Sequence, residues 1–98
     1  MERPPIFSGQ NQNVYAHTLT QLTAREWAVL LEVANDLSNA TIAERLCITT
    51  KSVENYRTRI GSKLELSGHR ILERFARQHK VALRQWYELL VGELPSLP

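Results

Sequence analysis

The sequence predicts an all-α fold: four helices followed by a helical C-terminal extension. Three observations predict it. Apolar residues recur at three- and four-residue spacing from Leu22 to Val91, with no alternating stretch long enough for a strand. Ser and Thr stand where those periodic runs begin. The chain has 98 residues, which is one domain and too short for most enzyme folds.

Composition narrows the class. Hydrophobic residues are 43% and charged residues 22%, ordinary values for a folded domain. No apolar run approaches the roughly 20 residues of a membrane span, and the start, MERPPIFSGQNQN, is not a secretion signal. One cysteine, Cys47, excludes an internal disulfide framework, and none of the three histidines sits at zinc-ligand spacing with it. The expectation is a cytoplasmic protein with no metal, no cofactor and no membrane partner. A nucleophile elbow, a phosphate-cradling Gly loop and a metal motif are all missing, so no enzyme is expected.

Residues 1–19 read as an arm, with Pro4, Pro5, Gly9 and a polar Gln-Asn run that lacks period. Residues 20–80 read as the domain and 81–98 as extension and tail, the latter ending in Pro95 and Pro98.

The first helix opens at Thr23, with Glu26 three residues on completing a capping box. Leu22, Glu26, Val29, Leu30, Val33 and Leu37 share one side, and Trp27 and Leu31 fall nearly opposite. It should end near Asn35-Asp36, types that tolerate the left-handed conformation. Ser38 caps a short second helix with the stripe Ile42, Ala43, Leu46. Cys47-Ile48-Thr49 makes a tight connection. Thr49 or Thr50 opens the third helix, with Val53, Tyr56, Ile60 and Leu64 inward and Lys51, Glu54, Asn55, Thr58 and Arg59 outward. Leu66-Ser67-Gly68 breaks the chain. A fourth helix begins near His69, with Leu72, Phe75 and Ala76 as core candidates. Beyond Lys80 the pattern continues through Leu83, Trp86, Tyr87, Leu90 and Val91, as one long helix or a pair kinked near Lys80.

Charge is placed unevenly. The net charge is only +2, yet nine of the twelve Lys and Arg residues lie between Lys51 and Arg84, against three acids. Residues 22–48 carry two basic residues and four acids. Such asymmetry suggests a side that faces a polyanion, though a solvated helix face gives the same pattern.

Residues 38–65 form a short helix, a turn of about three residues and a longer basic helix, the layout of a helix-turn-helix. The major groove, about 12 Å wide, admits one helix, so the second must be polar outward. Its N-terminus, rich in Ser, Thr and Lys, suits phosphate.

The residues sharpen this. Leu22-Thr23-x-Arg25-Glu26, Val29-Leu30, Leu37-Ser38-Asn39 with Ile42-Ala43, Leu46-x-Ile48-Thr49, Lys51 to Tyr56, and Ile60-x-x-Lys63-Leu64 together resemble the LuxR/FixJ/GerE-type DNA-binding domain, over roughly 22–79. The resemblance implies a four-helix domain that binds double-stranded DNA as a homodimer and regulates transcription in the bacterial nucleoid, with RNA polymerase as a further partner. It matches Glu54, Asn55 and Thr58 to base-reading positions. It matches Thr49, Thr50, Lys51, Arg57 and Lys63 to positions that contact phosphate or fix register, and Arg59 joins that basic set. Chemically, Glu54 can accept from cytosine and Asn55 can pair with adenine. Equally, Glu54 could only pair with Thr50, Arg57 or Thr58 on its own helix.

Three places depart from the family. Asp36 stands for a usual Gly, Ala40-Thr41 for a usual Lys-Glu, and Glu32 for a usual Leu while Leu31 replaces a polar residue. The last exchange is expected to turn apolar surface outward beside Trp27.

The family pairs through its last helix, so residues 68–91 are the expected dimer surface, with Ile71, Phe75, Trp86 and Leu90 as its residues. Ordinary packing is the alternative for Trp86, and the extension could instead fold back over Trp27 and Leu31. Cys47, in the turn near a helix N-terminus, is a candidate redox switch; plain filler is the alternative. Residues 1–19 cannot form a receiver or ligand-binding domain. The initial Met and the tail favour a stand-alone regulator over a fragment of a larger one. The rival function is a protein-interaction module that kept the fold.

Overall fold

The computed structural model describes residues 17–66, 68 and 70–91. A helical turn at 17–19 precedes five helices: α1 (Ala24–Ala34), α2 (Asn39–Leu46), α3 (Thr50–Lys63), α4 (Ile71–Gln78) and α5 (Lys80–Val91). No strand occurs among the described residues. The expected all-α class holds, with the extension forming the fifth helix.

Side-chain caps start the first three helices. Thr23 accepts from the Glu26 N–H at 3.1 Å, and Glu26 accepts from the Thr23 N–H at 2.9 Å, closing the capping box. Ser38 caps α2 through the Thr41 N–H, and Thr49 caps α3 through the Ser52 N–H.

The same three helices end alike, each by a left-handed residue that is not glycine. Asp36, Cys47 and Glu65 take φ of 65°, 58° and 56°. The next N–H in each case turns back to a carbonyl five residues earlier: Leu37 to Glu32, Ile48 to Ala43 and Leu66 to Gly61. These bonds satisfy carbonyls that the helix end would otherwise leave open. Asp36 thus does what its replacement of Gly required.

The core gathers one side of each helix. Val29, Leu30 and Val33 of α1 meet Ile42 and Leu46 of α2, Val53, Ile60 and Leu64 around α3, and Phe75 and Ala76 of α4. Leu19 is fully buried in it and Thr18 is 9% exposed, so the core begins inside the stretch expected to be arm. Residues 1–16 and the tail 92–98 lie outside the described residues.

Beyond Gln78 the chain kinks. His79 ends α4 with φ −110° and ψ 26°, and α5 restarts at Lys80, with Leu83 N–H donating to the His79 carbonyl at 2.8 Å. The kink lays α5 over α1. Trp27 is 1% exposed and meets Tyr87 edge-on, ring centroids 5.7 Å apart. Leu83 and Trp86 are buried in the same core. This corrects the expectation of apolar surface turned outward at Trp27: the extension folds back and covers it. It also takes Phe75 and Trp86 into the protomer's own core, because the apolar side of each helix packs inward. Of the expected dimer residues, Ile71 is half-buried and Leu90 exposed.

Glu32 brings a second correction. It is 1% exposed, not part of an apolar exchange at the surface, and is paired with Arg45 of α2 and bonded by the Asn35 side-chain amide. A buried carboxylate is tolerable only when so satisfied.

Candidate nucleic-acid interface

Helix α3 is two-faced. Val53, Ile60 and Leu64 at its end are buried, and Gly61 packs under Leu66. On the opposite side Lys51, Glu54, Asn55, Thr58 and Arg59 are all exposed. Positions 51, 55, 58 and 62 fall on one stripe by helical spacing, with Glu54 and Arg59 flanking it. The three residues matched to base reading therefore share one solvent face.

The helix is presented by the turn 47–49. Cys47 closes α2 in the left-handed conformation and is exposed. Arg25 of α1 donates to the Leu46 carbonyl at 3.2 Å, tying the end of α2 to the scaffold. Thr49 spends its hydroxyl on the α3 cap and on Ser52, whereas Thr50 stands exposed beside it.

The basic residues divide into two kinds. Arg57 pairs with Glu73 of α4 at 2.5 Å and is half-buried. Lys63 donates to Glu26 of α1 at 2.7 Å and to the Gln21 carbonyl at 3.4 Å. Both were expected at phosphate; the structure uses them to fasten α3 to its neighbours. Lys51 lies 3.9 Å from Glu54 in an exposed pair, a contact of little energy. Glu54 is thus partnered by Lys51 and not by Thr50, Arg57 or Thr58. Arg59 lies over the ring of Tyr56, 5.1 Å from its centroid, which steadies the guanidinium while leaving it exposed.

The fastening is electrostatically tuned at Glu26. Burial alone would raise its pKa, but the hydrogen bonds from Lys63 and the Thr23 N–H, with the charges of Lys63 and Arg59, hold it below the ordinary value. One carboxylate therefore caps α1 and locks the C-terminal end of α3. Sequence reasoning saw Glu26 only as a cap. The signal for the rest was an acid on the core side of an amphipathic helix, which needs a cation.

Among the described residues no group of His, Cys, Asp and Glu could hold a metal, and no helix is long and apolar enough to cross a membrane.

Residues 20–76 match the luxR family of bacterial regulatory proteins. The chain is similar to the transcriptional activator protein ExaE of Pseudomonas putida, 45% identical over 51 residues, 52% of this chain and 24% of that protein. It is also similar to a Pseudomonas aeruginosa protein named "Putative transcriptional regulator", 36% identical over 72 residues, 74% of this chain and 35% of that protein. The chain thus matches about a quarter to a third of the length of these relatives. No solved structure matches it.

Proposed function

The chain belongs to the luxR family of bacterial regulatory proteins, and on that premise we propose that it regulates transcription by placing α3 in the major groove of specific DNA sites. The observation that carries the reading is the exposed polar face of α3 beside a fully packed inner face. Glu54, Asn55 and Thr58 read base edges there. Thr50, Lys51 and Arg59 hold phosphates, which position the helix without reading sequence.

Two measurements test this. Affinity for duplex DNA should fall steeply with salt, and a flat response would remove the reading. A binding-site selection should return a defined motif, and Asn55→Ala should change one position of it by roughly 1–3 kcal/mol.

Pairing is part of the proposal. Among the described residues, the large apolar residues still exposed lie on α5: Val81 (71%), Leu89 (49%) and Leu90 (40%). A second copy joined there would present two recognition helices to half-sites about one DNA turn apart. Leu90→Glu should weaken association in sedimentation without loss of fold. RNA polymerase would be the partner through which binding changes transcription, in the bacterial nucleoid. Cys47 is exposed at the turn before α3, and oxidation there would alter binding. Equal affinity with and without reductant, in the native chain and in Cys47→Ser, would end that role.

A further inference from the structure

We propose that Glu73 of α4 is a specificity-determining residue that does not itself touch DNA: through Arg57 it fixes the roll of α3, and with it the base edges that Glu54, Asn55 and Thr58 reach. The inference rests on the DNA-binding reading above and deepens it.

Arg57 is neither on the outward face of α3 nor a free cation. Its side chain is only 17% exposed, and its guanidinium lies 2.5 Å from the Glu73 carboxylate, itself 33% exposed. Glu73 belongs to a helix that is firmly seated. Helix α4 packs broadly on α1, with Phe75 and Ala76 in the core. Helix α3 packs on α1 and α2, whereas no broad packing joins α3 to α4. The Arg57–Glu73 pair bridges that thin seam.

Lys63 makes a second tie, to Glu26 of α1. Arg57 and Lys63 are six residues apart, hence about 120° apart around the helix and about 9 Å along it. By the same spacing they fall on opposite sides of the line through Val53 and Ile60, both fully buried. Apolar burial along one line is non-directional and tolerates roll about the helix axis. Two hydrogen-bonded ion pairs on either side of that line resist it, because each fixes angle as well as distance.

Roll decides what is read. A helix with its side chains has a radius of about 5–6 Å, so a roll of about 20° moves its surface groups by about 2 Å. Hydrogen bonds form within a distance window of about 0.5 Å, so base contacts do not survive such a shift. The long exposed side chains of Lys51 and Arg59 can follow a phosphate through it. Loss of the tie therefore removes discrimination and leaves general attraction to DNA.

The test uses the full chain, a duplex recovered by binding-site selection, and an unrelated duplex, with affinities followed over a salt series. Glu73→Gln should lower affinity for the selected duplex about tenfold, the size of one impaired base contact, with affinity for the unrelated duplex no lower than native. The double variant Arg57→Gln, Glu73→Gln has the native net charge and should lose no more than the single, since both lack the same tie. Its slope of log K against log salt should stay native, because no phosphate contact is removed. Other roles give other signs. If Arg57 contacts phosphate, Glu73→Gln frees it and strengthens binding to the selected duplex, and the double variant lowers the slope by about 0.9. Either result overturns the inference. If the pair only stabilises the fold, the variants melt earlier but keep the native ratio of selected to unrelated affinity, which overturns it too. Should Glu73→Gln not fold, Glu73→Asp, which keeps the charge and shortens the reach by one methylene, takes its place. The ratio should fall there as well, and an unchanged ratio counts against the tie. A native chain that selects no motif removes the DNA-binding reading, and the inference with it.

Discussion

Helices α2, α3 and α5 all pack apolar side chains against α1, but among the described residues only the helix-turn-helix adds ion pairs to it. Arg45 of α2 pairs with Glu32 and Lys63 of α3 with Glu26, while Arg57 ties α3 on to Glu73 of α4. Helix α5 is seated by apolar burial, with Tyr87 against Trp27 and Leu83 and Trp86 buried in the same core. Burial is strong but non-directional, whereas a hydrogen-bonded ion pair fixes angle as well as distance. A helix proposed to enter a groove needs its angle fixed; a helix that covers a surface does not.

Trp27→Ala tests the apolar seat and should have the largest effect. It should cost about 3–5 kcal/mol in urea unfolding, the range for emptying a large aromatic site. A loss under about 1 kcal/mol would mean that α5 does not depend on α1.

Lys63→Met tests the charged clamp. It leaves Glu26 buried without its cation, at a cost of about 3 kcal/mol. Adding Glu26→Gln should recover most of that loss, because the stranded charge is gone. Failure of the double variant to recover would show that Lys63 matters by packing.

Acid should separate the two regions. Burial holds His79, at the α4–α5 kink, below its ordinary pKa of 6.5. Its contribution is complete above that value and is lost as pH falls through it towards the lower folded pKa, since the unfolded chain takes the proton first. Glu26 has a lowered pKa as well, so its contribution is complete above the ordinary 4.5 and is lost only in stronger acid. Stability between pH 7 and 5 should therefore become less pH-dependent in His79→Gln and stay as pH-dependent as native in Glu26→Gln. The reverse result would place the acid-sensitive contact in the clamp.

The smallest effect is expected at the Lys51–Glu54 pair. Lys51→Ala should change stability by less than about 0.5 kcal/mol, since both side chains are exposed. Its effect should appear in DNA affinity instead.

Most helix starts were legible because capping is local. Thr23 with Glu26, Ser38 and Thr49 each act within three residues, and a side chain and an N–H that close cannot avoid one another. The outward face of α3 was legible for the same kind of reason, since helical spacing alone separates Asn55 and Thr58 from Val53 and Ile60. The left-handed ends at Cys47 and Glu65 were not, because neither is glycine and only the following N–H bond imposes the turn.

The sequence by itself determined the helices, their caps and the polar face of α3, all set by spacing along the chain. Tertiary structure alone decided which cations were free. Lys51, Arg57, Arg59 and Lys63 look alike in sequence, yet Arg57 and Lys63 are bound to acids 16 and 37 residues away. It also decided that Trp27 and Tyr87 meet inside one protomer and that Trp86 is buried there. Ion pairing and burial depend on distance in space, which the local period does not contain.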